Sequence, residues 1–225
     1  MKLILRLSVY LFFTTMALLA GCTPDEHETE TGTTTSLTKE AQAQQQLISD
    51  TRQELKKWFR YYGLKAEQDT LFKLREVWEA SLLTLPLQQN WQELYSDYPR
   101  LFKPSPDKTG LLDIYTYERT FDRKRNPQVA ADSPDSEVAI AYPDKGEKVR
   151  LMFCGTPCLF EDAWWRNRDE VIVVGLVQEA GSTGYFPTVW HINLYTSLIR
   201  QYTSGQPAQL RKNEPYLTRE VLGKL

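Results

Sequence analysis

Val171 to Val177 reads Val-Ile-Val-Val-Gly-Leu-Val, without one polar side chain, in a chain whose residues are 25% charged. A run this short and this rich in β-branched residues predicts a buried central strand rather than a helix. Period-two patterning begins at Gly110, where Leu112, Ile114 and Thr116 alternate with Asp113, Tyr115 and Tyr117 in a first predicted strand. Residues 122–136 are polar, carry Pro127 and Pro134, and read as a surface loop. Val138 to Tyr142 and Lys148 to Phe153 flank Pro143-Asp144-Lys145-Gly146-Glu147, a hairpin pattern. Thr188 to Leu194 and Leu198 to Tyr202 bracket Tyr195-Thr196-Ser197 in a further one. Strands that follow one another across short turns pair antiparallel, which predicts a meander over about 110–204.

Upstream the spacing is helical. Ile48, Thr51, Leu55, Trp58 and Tyr62 share one face of a helix over about 39–62, with Thr38 as its N-cap and Gly63 at its C-terminal cap. Leu71, Leu74, Trp78, Leu82 and Leu85 predict a second helix over about 65–84, stopped near Pro86. Leu87, Trp91, Leu94 and Tyr98 predict a third over about 88–97. Short connections would pack these helices antiparallel. The expected fold is α+β: N-terminal helices over about 39–98 packed with a C-terminal antiparallel meander, in one globular domain over 38–225.

The N-terminus is of another kind. Lys2 and Arg6 precede an uncharged run from Leu7 to Ala20, too short for the roughly 20 apolar residues of a spanning helix. Charged start, short apolar core and small residues at the end describe a secretory signal peptide over 1–21. Leu19-Ala20-Gly21-Cys22 resembles the lipobox of bacterial lipoproteins. The resemblance implies a diacylglycerol thioether on Cys22 and an acyl chain such as palmitate on its amine, two signals that hold a membrane stably where one does not. It also implies a cell-envelope address. Thr23, rather than an Asp, follows the cysteine, which favours the outer membrane. Asp25, Glu26, Glu28 and Glu30 resemble short surface-export signals, yet also read as a solvated, charged run, so the face of that membrane stays open. Residues 22–37 hold hardly an apolar side chain and read as a disordered tether, reaching at most about 50 Å.

Removal of residues 1–21 takes away Lys2 and Arg6 and no acid, so the net charge moves from −2 to −4. With no basic excess, nucleic-acid binding is disfavoured. In an oxidising compartment Cys154 and Cys158 predict a structural disulfide, since Gly155 and Pro157 favour a tight turn between them. A redox pair is the sharper alternative, but the spacing departs from the two-residue thioredoxin-type motif. A metal site would lack ligands, because only His27 and His191 join these sulfurs.

The candidate sites are few. His191 is the one histidine of the predicted body, and alternation places it with Val189 and Asn193, opposite Trp190 and Ile192. Imidazole titrates near neutrality and suits acid–base or binding roles, although a hydrogen-bonded structural histidine is the plainer reading. Glu161, Asp162, Asp169 and Glu170 surround Trp164-Trp165, and paired carboxylates beside tryptophans suggest a sugar-cleaving site. The plainer reading turns one tryptophan into the core and leaves the other, Trp165, for an edge or a binding surface. Gly181 to Gly184 has no following Lys and reads as a hairpin loop rather than a phosphate loop. Trp58, Phe59, Tyr61 and Tyr62 read as core. No catalytic, metal or cofactor signature remains. The expectation is a non-catalytic binding or scaffolding module, anchored to the membrane and meeting an envelope protein or a glycan. The alternative is an envelope hydrolase acting on glycan or peptide.

Overall fold

The apolar run lies in β10 (Glu170–Gln178), which pairs with β9 (Cys158–Asn167) on one side and β11 (Tyr185–Asn193) on the other. With β12 (Leu198–Ser204) and β1 (Phe72–Glu79) they form a five-stranded antiparallel sheet in the order β1-β12-β11-β10-β9. The computed structural model describes residues 42–43, 46–47, 49–64, 72–122, 128–131, 135–156, 158–209 and 214–224. The signal segment, Cys22, the tether over 22–37 and the Thr38 cap lie outside these residues. Lys39–Leu225 forms one compact unit.

A second five-stranded antiparallel sheet has the order β2-β8-β7-β4-β3, from β2 (Leu83–Pro86), β3 (Phe102–Pro104), β4 (Leu111–Asp113), β7 (Ser136–Tyr142) and β8 (Glu147–Cys154). One core joins the two sheets as a sandwich: Leu112, Val138, Ile140 and Leu151 from the second meet Phe160, Val171, Val173, Trp190 and Ile199 from the first. The opposite face of the first sheet is covered too. Ile172, Val174, Leu176, Val189 and Tyr202 pack under Leu55, Trp58, Phe59 and Tyr62 of the helical segment. β10 is therefore apolar on both sides because each side meets a different core, and Val171 to Val174 are fully buried.

Helix α1 (Arg52–Tyr61) has Thr51, Leu55, Trp58 and Tyr62 buried on the expected face; Ile48 lies outside the described residues. Gly63 closes the helix at φ 71°, with its N–H on the Arg60 carbonyl and the Leu64 N–H on that of Phe59. Those two bonds satisfy carbonyls the helix leaves open. Helix α2 (Trp91–Asp97) also matches its spacing, with Leu94 buried.

The molecule is predominantly β rather than α+β. Residues 72–79 and 83–86 are strands, not the helix expected over 65–84, and residues 65–71 lie outside the described set. The ladder between β1 and β12 slips at Arg75, where Leu74 faces Tyr202 and Glu76 faces Gln201. This bulge sends Leu74 to the helix-covered core and Trp78 to the inter-sheet core, so the pair reads as a helical spacing of four. Antiparallel packing of the expected helices falls with that helix. The strand expected over 112–117 ends at Asp113, whose carboxylate accepts the Tyr115 and Thr116 N–H groups at 2.8 and 3.1 Å and turns the chain. The expected loop over 122–136 holds part of a hairpin, β5 (Arg119–Asp122) with β6 (Gln128–Ala131). The hairpins about Pro143–Lys145 and Tyr195–Ser197 stand as expected, Gly146 taking φ 66°.

Candidate functional site

Two arrangements compete for functional meaning: a set of buried carboxylates and an open apolar groove. Glu161 is the most enclosed carboxylate among the described residues, with no exposed surface. It owes this to a bulge, since Val174 pairs with Asp162 and Gly175 with Phe160, leaving Glu161 unpaired between them. Gly175 makes the bulge fit; a Cβ there would lie 2.0 Å from the Leu159 carbonyl oxygen. The bulged Glu161 reaches the helix-covered core. It accepts Trp58 Nε1 at 2.8 Å and the Tyr62 hydroxyl at 2.5 Å, and Leu217 N–H lies at 3.4 Å. Tyr62 in turn accepts the Tyr216 N–H at 2.9 Å. Burial pushes the Glu161 carboxyl up to about 7, against the pull of these donors.

The neighbouring acids serve other faces. Asp162 accepts Lys103 Nζ, the Tyr115 hydroxyl at 2.7 Å and its neighbour's backbone N–H. Asp169 is exposed in the turn before β10. Glu170 accepts Arg166 at 2.9 Å and Asn167 at 2.7 Å. Glu161 and Asp162, adjacent in sequence, have separate partners, Glu161 within the helix-covered core and Asp162, partly exposed, at Lys103 and Tyr115. These two acids are therefore not paired across one cleft as a sugar-cleaving pair would be. In the second sheet Glu137 is buried against Lys148 and Arg150, the latter at 2.5 Å. Among the described residues no group of three His, Cys, Asp or Glu side chains is placed to hold a metal.

His191 lies on the predicted face, 8% exposed. Its Nε2 sits 3.3 Å from Glu170 Oε1 without the alignment of a hydrogen bond. Burial pushes its pKa down, with Glu170 opposing and Arg200 and Arg166 assisting. Glu170 is itself held low: burial raises it, but His191, Arg166 and Asn167 outweigh that. The cluster continues to Asp50, which pairs with Arg166 at 2.6 Å. Trp165 is elsewhere. It packs on the inter-sheet core, and its Nε1 donates to the Lys103 carbonyl at 2.9 Å. The two candidate binding residues thus lie on opposite faces of one sheet and are not brought together. Cys154 and Cys158 are disulfide-bonded, with Cα atoms 5.8 Å apart, across the turn from β8 to β9.

The groove lies where the chain crosses between the sheets. β1 ends at Glu79 and β2 begins at Leu83, with Ala80 to Leu82 turning between them. Trp78, Ser81, Leu82 and Leu83 face Leu151, Met152 and Phe153 across about 420 Å³. Among the described residues large apolar side chains are exposed at few places, and three of them gather here: Leu82 at 51%, Leu83 at 46% and Phe153 at 46%. Concentrated apolar exposure around a concavity marks an interaction surface, whereas scattered apolar residues do not. A shallower dish of about 340 Å³ lies beside Tyr195, lined by Asn167, Arg168, Asp169, Glu170 and Asn193.

Sequence reasoning misses the groove because Trp78 and Leu82 read as one face of a helix, while Leu151 to Phe153 read as a strand with no link to it. The available signal was Leu82-Leu83, two adjacent leucines that no single face of a strand or helix can bury together. No protein-family model matches the chain, and comparisons with curated proteins and with solved structures return no significant match.

Proposed function

We propose that this protein is a lipoprotein of the bacterial cell envelope, held at the outer membrane through lipid on Cys22. In this reading its β-sandwich is a non-catalytic binding module, and the groove between the sheets is the surface it offers to an envelope partner. The observation that carries the reading is the gathering of Leu82, Leu83 and Phe153, all exposed, around one concavity. The interior carboxylates support it from the other side, since Glu137, Glu161 and Asp162 are each engaged by neighbouring donors of the fold. Lipid on Cys22 confines the module to one surface, which raises its local concentration toward a partner in that surface.

The test places a photo-crosslinking side chain at Leu83, or at Tyr195 as a control, in intact cells, and identifies adducts by mass spectrometry. The reading expects one envelope protein or a glycan-bearing polymer captured from position 83 and not from 195. Capture is lost when Phe153→Asp is added, and it falls when Cys22→Ala releases the chain from the membrane. Equal capture from both positions, or capture indifferent to Phe153→Asp, overturns it.

A further inference from the structure

The register of β8 shows what shape of partner the groove fits. β2 pairs with β8 only from Pro86 opposite Glu147 to Leu83 opposite Arg150. β8 then continues with no partner strand on that side among the described residues. On its other side Met152, Phe153 and Cys154 pair with Val138, Glu137 and Ser136 of β7. Beyond Leu83 no described strand takes the place beside β8 that β2 would fill, because the chain leaves at Ala80–Leu82, the segment that connects to β1 of the other sheet. Alternate residues of a paired strand turn their N–H and C=O groups away from the partner strand. Residues 152–154 therefore present main-chain groups to the groove, between the exposed side chains of Leu83 and Phe153. An unpaired edge of this kind is a template for another strand.

The charges restrict the occupant. Arg150 is held by Glu137 and lies over the rings of Phe153 and Tyr117 at 4.9 and 5.5 Å. Glu79 is exposed, lines the same groove, and makes no ion pair among the described residues. Arg150 shares Glu137 with Lys148 and stacks on Phe153, so the exposed charge at the β1 end of the groove is the carboxylate of Glu79.

We infer that the groove takes a short extended peptide segment, added as a strand beside residues 152–154 of β8, with apolar side chains over Leu83 and Phe153 and a basic side chain facing Glu79. The inference rests on the groove being the binding surface proposed above. Strand addition supplies main-chain hydrogen bonds that are indifferent to sequence, while the pockets and Glu79 supply the preference.

The test titrates the folded protein by NMR with capped hexapeptides of alternating valine and threonine carrying one central lysine. A glutamate analogue and an analogue N-methylated at alternate amides are compared. The expected result is binding at millimolar concentration by the lysine peptide, about fivefold weaker for the glutamate peptide, and reversal of that order in Glu79→Lys. Amide exchange over 151–154 slows in the complex, and the N-methylated peptide does not bind. Equal binding of the two charged peptides, binding that survives N-methylation, or no binding at all overturns the inference. Failure of every peptide together with position-specific capture from Leu83 rejects strand addition alone; failure of both rejects the groove itself.

Discussion

The two sides of the first sheet make opposite uses of aromatic and apolar surface. On the helix-covered side Trp58, Phe59, Tyr61 and Tyr62 are all at most 5% exposed, and a carboxylate is drawn in among them and given donors. At the β1–β2 corner Leu82, Leu83 and Phe153 stand at 46% exposure or more, over a concavity nothing in the described fold fills. Burial of that first kind is what folding selects for, and exposure of the second kind costs solubility unless something uses it. The contrast separates residues that hold the molecule together from residues that are free to meet something else.

Substitution should therefore sort by side. The largest effect is expected at Glu161→Ala, which strands Trp58 Nε1, the Tyr62 hydroxyl and the Leu217 N–H in a dry core, a loss of about 4 kcal/mol in urea unfolding. Glu161→Gln should cost less, and it also isolates the titration. In the wild type the folded carboxyl keeps its proton up to about 7, against 4.5 for an ordinary glutamate, so the contribution of this group to stability is full below that interval and is lost as pH rises through it. The fall is on the order of 3 kcal/mol and should flatten in Glu161→Gln; an unchanged slope would show that Glu161 is not its source.

Gly175→Ala comes next, at about 3 kcal/mol by the same measurement, because the new methyl meets the Leu159 carbonyl and the bulge must shift. Replacing Cys154 and Cys158 by serine should cost about 2 kcal/mol, since the closed loop is short; thermal unfolding with and without reductant measures it. The smallest effects belong to the groove. Leu82→Asp should change stability by no more than about 0.5 kcal/mol, and Phe153→Asp, which gives up ring contacts with Arg150 and Tyr117, by about 1 kcal/mol, while both abolish partner capture. A groove variant that unfolds the protein would erase the distinction between the two sides.

Much of the first sheet was legible in the chain, for a physical reason. Val171 to Val177 is buried on both faces, and such a strand announces itself whatever it packs against. Gly63 and Gly146 sit at positive φ where the turn requires it, and the helix face of Leu55, Trp58 and Tyr62 keeps an unbroken period. The remainder was hidden wherever a bulge interrupts the period. The slip at Arg75 gives a strand the spacing of a helix, and the slip at Glu161 gives two adjacent acids separate partners. For the candidate site, His191 was assigned its face correctly, since β11 is regular there. The groove could not be read, because it depends on where β2 parts from β8, a relation between segments far apart in the chain.

The knot of Trp58, Tyr62 and Glu161 has a mechanical consequence for a chain held at Cys22, as proposed. Tension on a lipid tether enters the folded body through its N-terminal end and reaches α1 before any strand. The helix is fastened to β9 by side-chain bonds from Trp58 and Tyr62, and Asp50 adds its pairing with Arg166. A pull along the tether would load these fastenings ahead of the strand ladders. The groove, at the opposite corner of the β1–β9 sheet order, would keep its shape while the anchor end strains.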